Sequence, residues 1–345
     1  MFPTLTVAAA CAFGAVPIAS ASAATNVQTA SSGNWSGYVV GAGSGDGSTS
    51  ASRKFKSVTG SWVQPTVKCG SGSTYSAFWV GLGGADGKEA LEQDGTEANC
   101  DANGTAHYYA WYELVPKAPV QVDLAVHPGD HMTATTTVNG QDVTETIVNH
   151  TTGQTFSKTL TMSNPDVSTA EWIAEAPSQC QSGVSNCTAL PLSNFGKVAF
   201  TSASATDAAG QTGSISSNDW QTAALTLNPS DSSGGMETIG NGYGYGYPDA
   251  ASSAASGAAS PSSLSDNGSA FSVSYQNASS GSGGSGGGSS DGYGGSGASG
   301  TGYPGGAGYG SSGGDGYGYG YPGGYGYPGY GYGGGDGGYI VIYTY

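Results

Sequence analysis

Residues 170–177 read Ala170-Glu171-Trp172-Ile173-Ala174-Glu175-Ala176-Pro177, a β-prone aromatic run closed by a turn residue. Strand alternation puts Glu171, Ile173 and Glu175 on one face. Two carboxyls beside an apolar side chain are costly to bury and would have perturbed protonation. Runs of the same kind lie on both sides: Trp35–Val40, Phe55–Val63, Tyr75–Leu82, Tyr108–Val115, His131–Val138, Val143–Val148, Val198–Thr201, Ala223–Leu227 and Ala270–Tyr275. Val, Thr, Tyr and Trp dominate them, turn residues separate them, and no window holds a convincing amphipathic helix. Many short strands without helices predict an all-β sandwich or barrel.

Composition narrows the function. Only 9% of the 345 residues are charged, against about 25% in ordinary soluble domains. There are 24 acidic and 8 basic residues, a net charge of −16. The densest basic cluster is Arg53-Lys54-x-Lys56, so nucleic acid is not an expected partner. Full protonation of the carboxyls would leave about +12, from eight basic residues and four His, so acid brings little self-repulsion. A chain poor in Lys and Arg also has few native ion pairs to lose at low pH.

The boundaries follow from the same composition. Residues 1–24 are apolar and small, and Ala21-Ser22-Ala23 fits a signal-peptidase site, although a basic start is missing. Residues 25–33 are a short linker or remnant pro-segment, and 34–275 form the β-sandwich, with a low-complexity loop at 241–268. Residues 276–345 carry 13 Tyr on a Gly/Ser/Pro background and read as a disordered tail. Adhesion of that tail to cell wall or polysaccharide is the alternative to a simply solvated one. No apolar stretch of 18 residues follows the leader, so no membrane insertion is expected, and the domain is expected to be a monomer. Cys69, Cys100, Cys180 and Cys187 remain after the leader, an even number that suits a secreted, disulfide-bonded chain. Four cysteines allow three pairings; the closeness of Cys180 to Cys187 favours Cys69–Cys100 with Cys180–Cys187.

Standard catalytic signatures are missing. His127 and His131 are four apart, but Pro128-Gly129 between them forbids the helix that would align them on zinc, and a turn with exposed imidazoles is the better reading. Gly-x-Ser-x-Gly matches are expected by chance in Gly/Ser-rich sequence. No phosphate loop or dinucleotide fingerprint occurs, so neither metal nor cofactor is expected. What stands out is polar residues inside aromatic strands. Trp111 and Glu113 share a face of one strand, Leu91 and Gln93 a face of another, and Glu171 and Glu175 the face described above. Paired carboxyls on a sandwich could serve a glycosidase, but the Glu-x-Asp-x-x-Glu spacing of jelly-roll glycosidases is missing.

Taken in order, these segments resemble the glutamic peptidases, or eqolisins. They are Asn34-Trp35-Ser36-Gly37-Tyr38, Phe78-Trp79-Val80-Gly81-Leu82-Gly83-Gly84, Leu91-Glu92-Gln93-Asp94-Gly95, and Tyr109-Ala110-Trp111-Tyr112-Glu113 with Pro116. His127-Pro128-Gly129-Asp130, Asn149-His150-Thr151-Thr152-Gly153, the Ala170–Glu175 strand, Cys180 and Cys187, Leu190-Pro191 and Phe195 follow. The resemblance implies a β-sandwich of two antiparallel sheets, jelly-roll or concanavalin-like, and a secreted acid endopeptidase acting on proteins and peptides. By motif its catalytic pair falls on Gln93 and Glu175, with Glu171 a neighbour and Trp79, Trp111 and Glu113 lining or supporting the site. A carboxylate can take a proton from water and return it to the leaving nitrogen, while an amide polarises and holds. Fungal members carry Asp where this chain has Gly83, and a long pro-segment; the Tyr/Gly tail is outside the family pattern. A non-catalytic sandwich binding polysaccharide or cell-wall material is the alternative.

Overall fold

In the computed structural model, which describes residues 27–41, 53–85, 90–182, 185–229 and 257–277, the chain is built of strands with one short 3-10 turn at Asp266–Gly268. The strands in chain order are β1 (Val27–Ser32), β2 (Trp35–Gly41), β3 (Phe55–Val63), β4 (Ala77–Gly83), β5 (Leu91–Cys100) and β6 (Ala106–Leu114). Next come β7 (Val120–Gln121), β8 (His131–Asn139), β9 (Asp142–Asn149), β10 (Gln154–Thr161), β11 (Thr169–Glu175) and β12 (Ser178–Ser182). The last six are β13 (Ser185–Ala189), β14 (Lys197–Asp207), β15 (Thr212–Ser214), β16 (Gln221–Leu227), β17 (Ala258–Pro261) and β18 (Phe271–Gln276).

One hydrogen-bonded path, β10-β9-β8-β3-β14-β18-β17-β16-β2-β11-β4-β5-β6-β7, folds over on itself to make both layers of a sandwich. Trp62, Met132 and Phe200 of the back layer pack with Phe78, Val80 and Trp172 of the front layer in one buried cluster. Two indoles stitch the layers: Trp62 Nε1 donates to Thr96 Oγ1 at 3.0 Å, and Trp172 Nε1 to the Thr59 carbonyl at 2.7 Å. Trp172 lies so close over β3 that a Cβ at Gly60 would sit 2.8 Å from its ring. Trp172→Ala should therefore cost about 3–5 kcal/mol, the usual range for a large buried aromatic, measured by denaturant unfolding near pH 4.

The all-β expectation and the strand positions hold, with four differences. Residues 25–33 are not a linker over their described part, because β1 pairs with β16, in parallel. The 241–268 stretch contains β17, which is paired to β18 and β16. Both segments are Ser-, Thr- and Ala-rich, and partner strands rather than their own propensity hold them. β10 is an exposed polar edge strand, fixed to β9 by hydroxyl pairs such as Thr144–Thr159 at 2.8 Å and Thr146–Ser157 at 2.9 Å. β12 and β13 form a hairpin on which Cys180 and Cys187 are cross-strand partners. Cys187 is disulfide-bonded, and Cys69 is bonded to Cys100. The expected leader at 1–24, residues 241–256 of the low-complexity loop and the tail after residue 277 lie outside the described residues.

Candidate active site

The front layer has a second face, away from the inter-layer core, and alternation along its strands decides what it carries. Three rows run across β2, β11, β4, β5 and β6. The first is Val39, Glu171, Gly81, Gln93 and Glu113; the second is Gly37, Ile173, Trp79, Gly95 and Trp111; the third is Trp35, Glu175, Ala77, Glu97 and Tyr109. All six residues expected to form the site, Gln93, Glu175, Trp79, Trp111, Glu113 and Glu171, lie on this one face and are fully buried. An apolar bed of Trp35, Val39, Leu91, Val115, Ile173 and Leu225 surrounds them.

Gln93 and Glu175 are two strands apart and two rows apart. That separation is about 10 Å across the sheet and about 13 Å along it. Trp79 stands on the strand and in the row between them, and its Nε1 donates to Glu175 Oε2 at 2.7 Å. Asn34 Nδ2 donates to the other oxygen, Glu175 Oε1, at 3.0 Å. Gln93 Nε2 donates to Glu113 Oε2 at 2.8 Å, so the neighbouring strand fixes the amide's orientation. Glu171 shares Gln93's row, with only Gly81 between them.

Sequence reasoning left some members of the face unassigned. Glu97 shares Glu175's row, separated from it by the small Ala77. Its Oε2 accepts hydrogen bonds from Tyr109 Oη and Asn99 Nδ2. Burial pushes its pKa up to about 7, against the lowering effect of those two bonds. Extending the alternation from Gln93 by four residues would have found Glu97. Asn34 was part of a quoted motif, but its reach across to Glu175 belongs to the turn between β1 and β2 and leaves no sequence signal.

The Gly83 departure has a physical reason. Gly83 has φ +89°, and a Cβ there would lie 2.6 Å from both Cβ and the carbonyl oxygen of Asp166. An aspartate at 83 does not fit beside Asp166, whose own carboxylate accepts from Gly84 N at 3.2 Å. His127 is exposed at a turn closed by Asp130 Oδ2 on its backbone N, and His131 is exposed too, far from any shared function.

Residues 33–229 match the Peptidase A4 family. Aspergillopepsin-2 of Aspergillus niger is 31% identical over 199 residues, which cover 51% of this chain and 64% of that protein. Scytalidopepsin B of Scytalidium lignicola is 30% identical over 186 residues, 51% of this chain and 67% of that one. The match thus spans less than two thirds of the Aspergillus relative. A crystal structure of scytalido-glutamic peptidase with a transition state analog inhibitor superposes with a TM-score of 0.51 at 24% identity, covering 71% of this chain and 98% of that one. That is a likeness of fold.

Proposed function

The chain belongs to the Peptidase A4 family, and from that premise we propose that it is a secreted, metal-independent glutamic endopeptidase working in acid on proteins and peptides. The observation that supports this reading is the placement of Gln93 and Glu175 on one buried face, on either side of Trp79. The interval between them has room for a water and a peptide group. In the proposed step, the Glu175 carboxylate takes a proton from water as the water oxygen attacks the scissile carbonyl carbon. Negative charge develops on the carbonyl oxygen, and the Gln93 amide N–H stabilises it. Glu175 then returns the proton to the leaving nitrogen, the C–N bond breaks, and an acid and an amine leave. An amide cannot titrate, so no second acid has to share the proton.

Export is part of the same proposal: the Cys69–Cys100 disulfide suits an oxidising compartment, and the activity is expected to resist pepstatin and chelators. Peptide release from a denatured protein near pH 4, with pepstatin and a chelator present, tests the reading. Silence from a folded wild type would leave a non-catalytic binding module.

Two variants separate the roles. Gln93→Ala should lower kcat by about 10²–10³-fold, as expected for losing an oxyanion donor. Glu171→Gln should lose less than tenfold, because no proton passes through it. Equal losses at positions 171 and 175 in single-turnover assays would mean that the acid has been assigned to the wrong residue.

A further inference from the structure

Four buried tryptophans have their indole N–H satisfied by the protein. Trp62 donates to Thr96, Trp79 to Glu175, Trp172 to the Thr59 carbonyl and Trp220 to the Ile215 carbonyl. Trp111 differs: its ring is fully buried, and Nε1 has no hydrogen-bond partner. A buried donor left without an acceptor is costly, and native structures rarely leave one without a reason.

Its position supplies a reason. Trp111 stands in Trp79's row, with Gly95 between the two rings, and Gln93 and Glu113 in the neighbouring row. Gly95 offers no side chain to fill the slot. It could not be replaced by one that did, since a Cβ there would lie 2.3 Å from the Phe78 carbonyl oxygen and 2.6 Å from Trp79 Cβ. The two indoles therefore bound a strip of bare backbone at the centre of the face. One of them holds Glu175, and the other has its N–H unspent.

We infer that the Trp111 N–H is a substrate-binding group, donating to a main-chain carbonyl of an extended peptide laid across Gly95. The inference rests on the peptidase reading and deepens it. The acceptor has to arrive with the ligand, and an extended peptide presents a carbonyl at every residue whatever its side chains. A main-chain carbonyl also stays neutral in acid, so this contact would not titrate where the enzyme works. Trp111 would set peptide affinity without taking part in proton transfer, because Glu175 and Gln93 hold the reacting atoms. The bond would form equally in the ground and transition states, so its loss falls on KM.

The test compares the full-length wild type, Trp111→Phe, and a protein carrying 3-benzothienylalanine at position 111. The last keeps the indole's shape and puts sulfur where the N–H was, which guards against misfolding of the smaller Phe variant. Two quantities are measured near pH 4: kcat and KM on a quenched fluorogenic peptide, and calorimetric Kd for a peptide whose scissile bond is reduced and uncleavable. Loss of one neutral hydrogen bond should raise KM and Kd about three- to tenfold, with kcat nearly unchanged. An unchanged Kd in the sulfur variant overturns the inference, as does a loss confined to kcat. Wild type that binds the reduced peptide but cleaves nothing would sink the peptidase reading alone, and Trp111 would then be judged on Kd. Wild type that binds no peptide sinks both.

Discussion

Glu175→Gln should abolish turnover, with kcat down by about 10³-fold or more, while the protein folds and still binds peptide. General acid–base catalysis contributes about 10²–10⁴-fold, and an amide at this position can neither accept the water's proton nor deliver one to the leaving nitrogen. The substitution is close to isosteric, so the apolar bed of Trp35, Val39 and Ile173 should stay packed. It does disturb the local bonds, since Trp79 Nε1 and Asn34 Nδ2 both point donors at this side chain. A carboxylate accepts both, whereas a glutamine offers one oxygen and places its NH₂ against the other donor. A modest fall in the unfolding midpoint is expected with the loss of activity. Activity above a few per cent of wild type in the folded variant would remove Glu175 from the proton-transfer role.

Much of this site was legible in the chain because period-two alternation is a strong signal. Knowing that Glu171, Ile173 and Glu175 share a face, and that Gln93 and Trp111 face the same way on their own strands, was enough to gather the six residues. Register was not legible. Nothing in the sequence says that Glu171, rather than Glu175, lies in Gln93's row, since pairing register is settled between strands far apart in the chain. The same limit hid β1, whose Val27–Ser32 is held by parallel pairing to Gln221–Leu227 nearly two hundred residues away. It also hid the opposite face of β5. Glu92 and Asp94 flank Gln93 in sequence and look like ordinary solvated acids, yet alternation turns them into the space between the layers, where both are fully buried.

Those inward-facing acids should make the fold itself dependent on acid. Glu92 and Asp94 on β5 meet Glu145 on β9, all three without solvent exposure. Thr136 on β8 donates to Glu145 Oε2 at 2.7 Å and lies 3.4 Å from Asp94 Oδ1, and the Asp166 backbone N donates to Glu92 Oε1 at 3.0 Å. One oxygen of each acid, Glu92 Oε2, Asp94 Oδ2 and Glu145 Oε1, has no partner. The nearest base, Lys158, is Glu145's cross-strand neighbour, but it is exposed, with Nζ on the Tyr112 hydroxyl at 3.0 Å. Carboxylic protons would supply the missing donors; carboxylates would face one another with nothing to neutralise them. Burial accordingly raises all three: Glu92 to about 9, with the Asp166 charge adding to the rise, and Asp94 and Glu145 well above the ordinary carboxyl range.

A folded-state pKa above the unfolded one stabilises fully below the unfolded value and loses that stability as pH rises through the folded value. For Glu92 the window runs from the ordinary 4.5 to about 9. At about 1.4 kcal/mol for each pH unit crossed, its share alone is on the order of 6 kcal/mol, comparable with the whole stability of a typical domain. The unfolding midpoint of the wild type should therefore be highest near pH 4 and fall steeply between pH 5 and 8. Glu92→Gln and Glu145→Gln should flatten that decline and be the more stable proteins at pH 7.5, while gaining nothing at pH 4. A wild-type midpoint that stays level from pH 4 to 8, or variants that decline in parallel with it, would show that the layers tolerate these charges. The expected slope instead ties the working range to the fold: the groups that hold the layers together do so only while protonated, in the same acid where Glu175 is proposed to cut.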